Sequence, residues 1–344
     1  MTAKDWWIYQ GAGSAGLRRA KLAEQAPPWR EFRGVPDPEY RTPAPHDEAW
    51  QESRRRGEGY VPDLAEQEAV NTALYLRRPL LVTGKPGVGK STLAYSIAAD
   101  LELGPVLHWP ITSRSTLRDG LYQYDAIGRL HDANLRNLGR TAEDPVDPSL
   151  APYLRLGPLG TALLPQERPR VLLVDEIDKS DIDLPGDLLT VFEEGAFEIP
   201  ELARVAAQEP QVRIGTHDDS EAHALVSRGR VRCMSFPVVV LTSNGERDFP
   251  PPFLRRCIRL HMEPPGADKL TQIVRRRLRL GDEETDRHRD LVEAFVERRL
   301  DGDLATDQLL NAVQLRLKGA WSDTADQDRF LETVLQRLTG PTSV

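Results

Sequence analysis

From residue 80 onward, short apolar runs alternate with stretches whose apolar residues recur at i, i+3, i+4 and i+7. That alternation predicts strands and helices in turn around a parallel sheet. The strands fall at Leu80–Thr83 (LLVT), Val106–Ile111 (VLHWPI), Val171–Val174 (VLLV), Val238–Leu241 (VVVL) and Cys257–His261 (CIRLH). After Pro264 the pattern turns wholly helical, through ADKLTQIVRRRL, RDLVEAFVERRL, DQLLNAVQLRL and QDRFLETVLQRL. The first 60 residues are rich in Pro, Trp and charge and hold no sustained period of 2 or 3.6. They read as an extended arm whose Trp6, Trp7, Trp29 and Trp50 dock on the core or on a neighbour. The expected organisation is an N-terminal extension over 1–60, an α/β core over 61–263 and a small helical domain over 264–344.

Composition narrows the classes. Of 344 residues, 40% are hydrophobic and 28% charged, as in ordinary globular chains. No apolar run approaches the ~18 residues of a membrane span. The start, MTAKDWWIYQ, has no basic region followed by an apolar one, so no secretory signal is expected and a cytoplasmic location fits. Cys233 and Cys257 have no partner at metal spacing. A net charge of −8 and a pI near 5.5 argue against a broad nucleic-acid surface and make protein partners the better expectation.

Two glycine loops compete as phosphate cradles. GAGSAG, Gly11–Gly16, matches the dinucleotide fingerprint, but that fingerprint needs a βαβ frame. Here Pro27–Pro28 stop the following helix, and Pro36, Pro38, Pro43 and Pro45 exclude a buried second strand. It is expected to be a turn. GKPGVGKS, Gly84–Ser91, instead follows the LLVT strand and opens the helix STLAYSIAADL. There the backbone N–H groups of Gly87, Val88, Gly89 and Lys90 face phosphate oxygens at a helix N-terminus. Lys90 neutralises the β- and γ-phosphates and Ser91 offers a hydroxyl to Mg²⁺. Gly84, Pro86 and Thr92 complete the expected ATP-binding set.

Three further stretches carry chemistry. VLLVDEID ends a buried strand in two acids, with Asp175 placed to hold Mg²⁺ through water and Glu176 to act as general base on the attacking water. VVVLTSN sets Asn244 just past a strand, where it can orient that water, although an Asn there is also ordinary turn chemistry. In PPPFLRRCIRL, Arg255 and Arg256 could complete a γ-phosphate site in a neighbouring subunit; an isolated Arg pair is otherwise a solvated surface feature.

In order, these stretches resemble the Walker A, Walker B, sensor 1 and arginine-finger elements of AAA+ ATPases. The chain is most similar to the MoxR family, through TSRSTLRDGLYQYDAIGRL (Thr112–Leu130), like that family's helix-2 insertion, and LPGDLLTVFEEGAFEIPEL (Leu184–Leu202), like its helix and hairpin after Walker B. The resemblance spans roughly residues 61–320. It implies a P-loop NTPase αβα sandwich with a five-stranded parallel sheet in the order 5-1-4-3-2, a C-terminal α-helical lid, and a homo-oligomeric ring, usually a hexamer, with ATP between subunits. It ranks Arg256 above Arg255 as the finger. It also implies action on a protein partner, often one with a von Willebrand factor A domain.

One position departs from the family pattern: Asp307 stands where the lid often carries the sensor-2 arginine, and an acid cannot grip a phosphate. Arg275, Arg276 and Arg277 are the nearby substitutes. Two rival functions follow. One is a nucleotide-dependent scaffold with little hydrolysis; the other is a McrB-like motor on nucleic acid or a GTPase, although the chain has no N-K-x-D guanine motif.

Overall fold

The computed structural model describes residues 5–11, 15–24, 26–139, 149–219, 221–300, 304–319 and 333–335. Along the chain, α1 (Gly16–Glu24) and α2 (Glu48–Gly57) precede α3 (Leu64–Leu76), β1 (Leu80–Thr83), α4 (Lys90–Leu101) and β2 (Leu107–Pro110). An insertion follows with α5 (Leu117–Leu121), β3 (Tyr122–Tyr124), α6 (Ala126–Gly139), β4 (Leu154–Leu156) and α7 (Pro158–Ala162). After β5 (Val171–Asp175) come α8 (Leu184–Glu194), β6 (Ala196–Glu198), α9 (Pro200–Val205), β7 (Gln211–Gly215), β8 (His223–Ser227) and β9 (Arg230–Arg232). The core closes with β10 (Val238–Ser243), α10 (Pro251–Leu254) and β11 (Ile258–His261). The C-terminal helices are α11 (Ala267–Leu278), α12 (Asp282–Asp286), α13 (Arg289–Leu300) and α14 (Thr306–Leu317).

The central sheet runs β11-β1-β10-β5-β2, the 5-1-4-3-2 order implied by the resemblance. All its pairs are parallel, with Leu80 opposite both Val240 and Ile258, and Leu172 opposite Leu107. Strands covered on both faces read as unbroken apolar runs, which explains LLVT and VLLV. Period-2 alternation divides them: Leu80, Val82, Val171 and Leu173 pack with Val70, Leu93 and Ile97 of α3 and α4. Leu81, Leu172 and Val174 pack on the other side with Leu159, Leu188 and Phe192. A parallel sheet delivers all its carboxyl ends to one edge, where ligands of open α/β sheets bind.

A second sheet, β3-β4-β7-β8-β9-β6, replaces the hairpin expected in Leu184–Leu202: only β6 lies in that stretch, and it pairs with the distant β9, while the full six-stranded layer was not foreseen from the sequence. Its strands are three to five residues long, too short to establish a period. It gathers the insertion and the segment after α8 into one layer.

The N-terminal arm differs from the extended chain expected. Its first aromatic stretch, WWIY, forms no strand, and α1 and α2 supply regular structure. Asn71 is fully buried and accepts the N–H groups of Ile8 and Tyr9 at 2.6 and 2.8 Å, fixing the arm to α3. Trp7 is buried and Trp6 meets the edge of Tyr75 at 5.5 Å, whereas Trp29 is 76% exposed. Helix α2 lies on α4, with Gly57 so close that an added Cβ would stand 2.4 Å from the Tyr95 carbonyl oxygen. Gly11 adopts φ 76° and Gly16 opens α1; Gly13 lies outside the described residues.

The C-terminal helices hold their own core of Leu270, Val274, Leu291, Phe295, Leu309 and Val313. Of the predicted helix QDRFLETVLQRL, only residues 333–335 are described. The helical unit is tied to α3 by Lys269, whose Nζ donates to Glu66 Oε1 at 2.6 Å and Asp63 Oδ2 at 3.1 Å. Among the described residues, no helix is long and apolar enough to cross a membrane.

Candidate functional site

The glycine loop after β1 takes the backbone angles that only glycine accepts readily: φ is 150° at Gly84, 76° at Gly87 and 100° at Gly89. These turns lead into α4 with Lys90 as its first residue. Lys90 is buried, and its ammonium donates to the carbonyls of Gly84 and Lys85 at 2.6 and 2.9 Å and to Asn244 Oδ1 at 2.8 Å. Burial lowers its pKa from the ordinary lysine value, against the opposing charges of Asp178, Asp175 and Glu176. A cation surrounded by oxygen acceptors at the mouth of a glycine cradle suits a phosphate group.

Asp175 ends β5 and collects donors from three directions. Ser91 Oγ donates to its Oδ1 at 2.7 Å, Thr242 Oγ1 to the same oxygen at 2.6 Å, and His108 Nε2 lies 3.2 Å from Oδ2. Burial opposes ionisation of this carboxyl, but these hydrogen bonds outweigh it and hold its pKa down at about 2. Ser91 and Asp175 therefore form a hard, oxygen-only donor pair, the kind Mg²⁺ takes alongside phosphate oxygens.

The next residue, Glu176, sits in the left-handed region at φ 60°, an uncommon conformation for a side chain of its size. Its N–H donates to Thr242 Oγ1 at 2.8 Å, so one threonine fixes both acids of the DE pair. Its carboxylate faces Asn244 Nδ2 at 3.4 Å and Lys179 Nζ at 2.7 Å. Asn244 is held in turn by Asp178, which is 3% exposed and accepts the N–H groups of Asn244 and Glu246 at 2.9 and 3.1 Å.

These groups open on a cavity of about 440 Å³. One wall is Pro86 to Thr92 with Asp175, Glu176, Thr242 and Asn244; the other is Gly59, Tyr60, Ile273, Arg277, Thr306, Asp307 and Leu310. Asp307 thus faces the cavity from the start of α14. Of the three nearby arginines only Arg277 lines it, and its Nη1 is engaged by the carbonyls of Arg55 and Glu58 at 2.9 and 2.8 Å. Arg276 donates to Tyr60 O at 3.2 Å and Arg275 pairs with Asp282 at 2.5 Å.

Arg255 and Arg256 follow α10, outside this cavity; both are exposed. Gly11 and Gly16 lie apart from it too, with Gly11 lining a different cavity beside α4. Thr242, Asp178, His108 and, on the far wall, Gly59, Tyr60, Ile273, Thr306 and Leu310 were missed in the sequence, whereas Asp307 and Arg277 of that wall were singled out there. Thr242 and Asp178 stand within the stretches already singled out, and their spacing of two or three residues from Asn244 and Asp175 is the only local signal they carry.

The family model described as AAA domain (dynein-related subfamily) matches residues 79–257, more than half of the chain. No curated protein matches. Among solved structures, domain III of the Thermotoga maritima replication initiation protein DnaA is similar at 16% identity, covering 82% of this chain and 97% of that one, with a TM-score of 0.41. The matched segment carries the glycine cradle, the DE pair and four of the five strands of the sheet whose edge positions them, and the chain belongs to the AAA domain family, dynein-related subfamily.

Proposed function

We propose that this protein is a MoxR-like AAA+ ATPase that works as a homo-oligomeric ring, a hexamer, binding and hydrolysing ATP at subunit interfaces to remodel or switch a protein partner. The partner chemistry we favour is a von Willebrand factor A domain protein in the cytoplasm. One observation carries the reading. Lys90, Ser91, Asp175, Glu176 and Asn244 converge on a single cavity that the sheet edge and the C-terminal helices line together.

In this reading the N–H groups of Gly87 to Lys90 and the Lys90 ammonium bind the phosphates. Ser91 and Asp175 hold Mg²⁺, which when bound supplies charge neutralisation at the phosphate oxygens. Glu176 takes a proton from a water oriented by Asn244. The water oxygen bonds to the γ-phosphorus as the bond to the bridging oxygen breaks, and ADP leaves with that electron pair. Arg256, with Arg255 behind it in rank, serves the site of the adjacent copy.

The test separates binding from turnover. Lys90→Ala is expected to lose ATP affinity, whereas Glu176→Gln keeps it and loses hydrolysis; equal affinity in Lys90→Ala and wild type removes the phosphate-cradle assignment. Capture of partners by ATP-loaded Glu176→Gln, identified by mass spectrometry, tests the partner class. Asp307 favours a second reading, a nucleotide-dependent scaffold, because an acid on the lid wall of the cavity offers no grip on a γ-phosphate. Steady-state ATPase that stays near background with partner present supports the scaffold.

A further inference from the structure

The N-terminal arm, which lies outside the matched segment 79–257, reaches the neighbourhood of Arg256 through a chain of charged groups. It begins at Arg30, only 8% exposed. Its guanidinium is locked: Nε and Nη2 donate to Arg77 O at 3.1 and 2.7 Å, Nη1 donates to Phe192 O at 2.9 Å, and the plane lies 4.8 Å from the Phe236 ring centroid. The bond to Phe192 O caps the C-terminal end of α8, where a cation is favoured.

Next on α8 is Glu193, whose Oε2 lies 3.6 Å from Arg30 Nη1. Its other oxygen, Oε1, accepts from Arg256 Nε at 2.9 Å. Arg256 also donates from Nη1 to Pro252 O at 3.3 Å. An arginine gripped at Nε keeps its outer fork for a second acid or phosphate, and among the described residues Nη2 makes no hydrogen bond. The Arg256 side chain is 44% exposed, so it is accessible to a second copy.

We propose that Glu193, itself held by Arg30 of the arm, is a positioning residue that presents the Arg256 fork to the nucleotide site of a second copy of this chain. This rests on the reading of Arg256 as an intersubunit group. Arg30 of the arm, which lines neither site, thereby contributes to turnover in a neighbour. Because Glu193 and Arg256 are both about half exposed, solvent weakens their pairing, and the expected effect is a few-fold.

The experiment uses full-length chains mixed in pairs. Lys90→Ala has no working cradle but keeps its finger, and Arg256→Ala keeps its cradle; co-assembled, they are expected to recover ATPase. Replacing the first partner with Lys90→Ala/Glu193→Ala removes the positioning group from the finger donor only. Recovered turnover should fall by about two- to fivefold with KM for ATP unchanged, since the acceptor's binding site is untouched. Lys90→Ala/Glu193→Gln keeps an acceptor for Nε and should restore most of the loss. Equal recovery from the Glu193→Ala donor, at equal co-assembly and melting temperature, overturns the role of Glu193 while leaving the intersubunit site standing. Co-assembly without recovery in the parent mixture overturns both.

Discussion

Asp218 and Arg170 are each 1% exposed in their side chains and lie 2.7 Å apart, with the Tyr40 hydroxyl donating to the same carboxylate at 2.5 Å. Burial pushes the Asp218 pKa up, but the Arg170 charge and its hydrogen bonds overcome this and leave it below the ordinary aspartate range. A depressed folded pKa contributes stability above about pH 4 and loses it as pH falls through the folded value. The urea midpoint of wild type should therefore drop between pH 5 and pH 3, and Asp218→Ala should show a shallower drop. At pH 7 that substitution strands a buried guanidinium and should cost about 3–5 kcal/mol, read by chemical denaturation. A second residue-scale expectation concerns Asp307: Asp307→Ala should not reduce ATPase, and Asp307→Arg should tighten ATP binding by adding a phosphate contact; a severe loss in Asp307→Ala, measured by steady-state kinetics, contradicts the view that this acid offers the nucleotide nothing. At this scale the sequence is legible where chemistry is contiguous. GKPGVGKS and VDEID declare themselves because a cradle and a strand-end acid pair are local arrangements. Thr242 and His108 do not, because each meets Asp175 only through the register of β10 and β2 against β5.

The same division runs through the elements. Parallel strands buried on both faces announce themselves as apolar runs, and the five of the central sheet were found with their ends shifted by at most two residues. The six-stranded sheet was not, because its short strands owe their pairing to distant partners such as β6 with β9. Helix α2 escaped as well: EAWQESRRRG is polar nearly all round and buries only Ser53 and Gly57, through close approach rather than an apolar stripe. That closeness is testable. Gly57→Ala should overpack the contact with the Tyr95 backbone and destabilise the protein by about 1–3 kcal/mol, visible as a lower melting temperature. The GAGSAG loop gives the opposite expectation for function. Gly11→Ala meets Pro62 Cγ at 2.6 Å and is held at positive φ, so stability should fall while ATP affinity, measured by titration, stays at the wild-type value.

For the whole molecule, the contact between the glycine cradle and the C-terminal helices joins the two parts that line the cavity. Thr306 N–H donates to Gly87 O at 3.3 Å, and an added Cβ on Gly87 would stand 2.4 Å from Ala305 Cβ. The start of α14 therefore rests on the glycine cradle, and a shift of either is felt by the other. If catalysis needs a second copy, the specific ATPase of wild type should rise with protein concentration across its assembly range, and the rise should track the oligomer seen by analytical ultracentrifugation. A specific activity constant over that range contradicts the intersubunit site.

The N-terminal arm embraces the sheet from both sides: Ile8, Tyr9 and Leu22 join the cluster with α3 and α4, while Tyr40 and Phe32 join the opposite one. What is inherited as a family segment and what folds as a unit are consequently different lengths of chain. A polypeptide beginning at residue 61 would keep every group of the nucleotide cavity except Gly59 and Tyr60, yet would bare apolar surface on both sheet faces and leave the Arg170–Asp218 pair without Tyr40. It should aggregate on expression, and limited proteolysis of the intact protein should spare the stretch around Asn71's partners, Ile8 and Tyr9, for as long as the ATPase core itself survives.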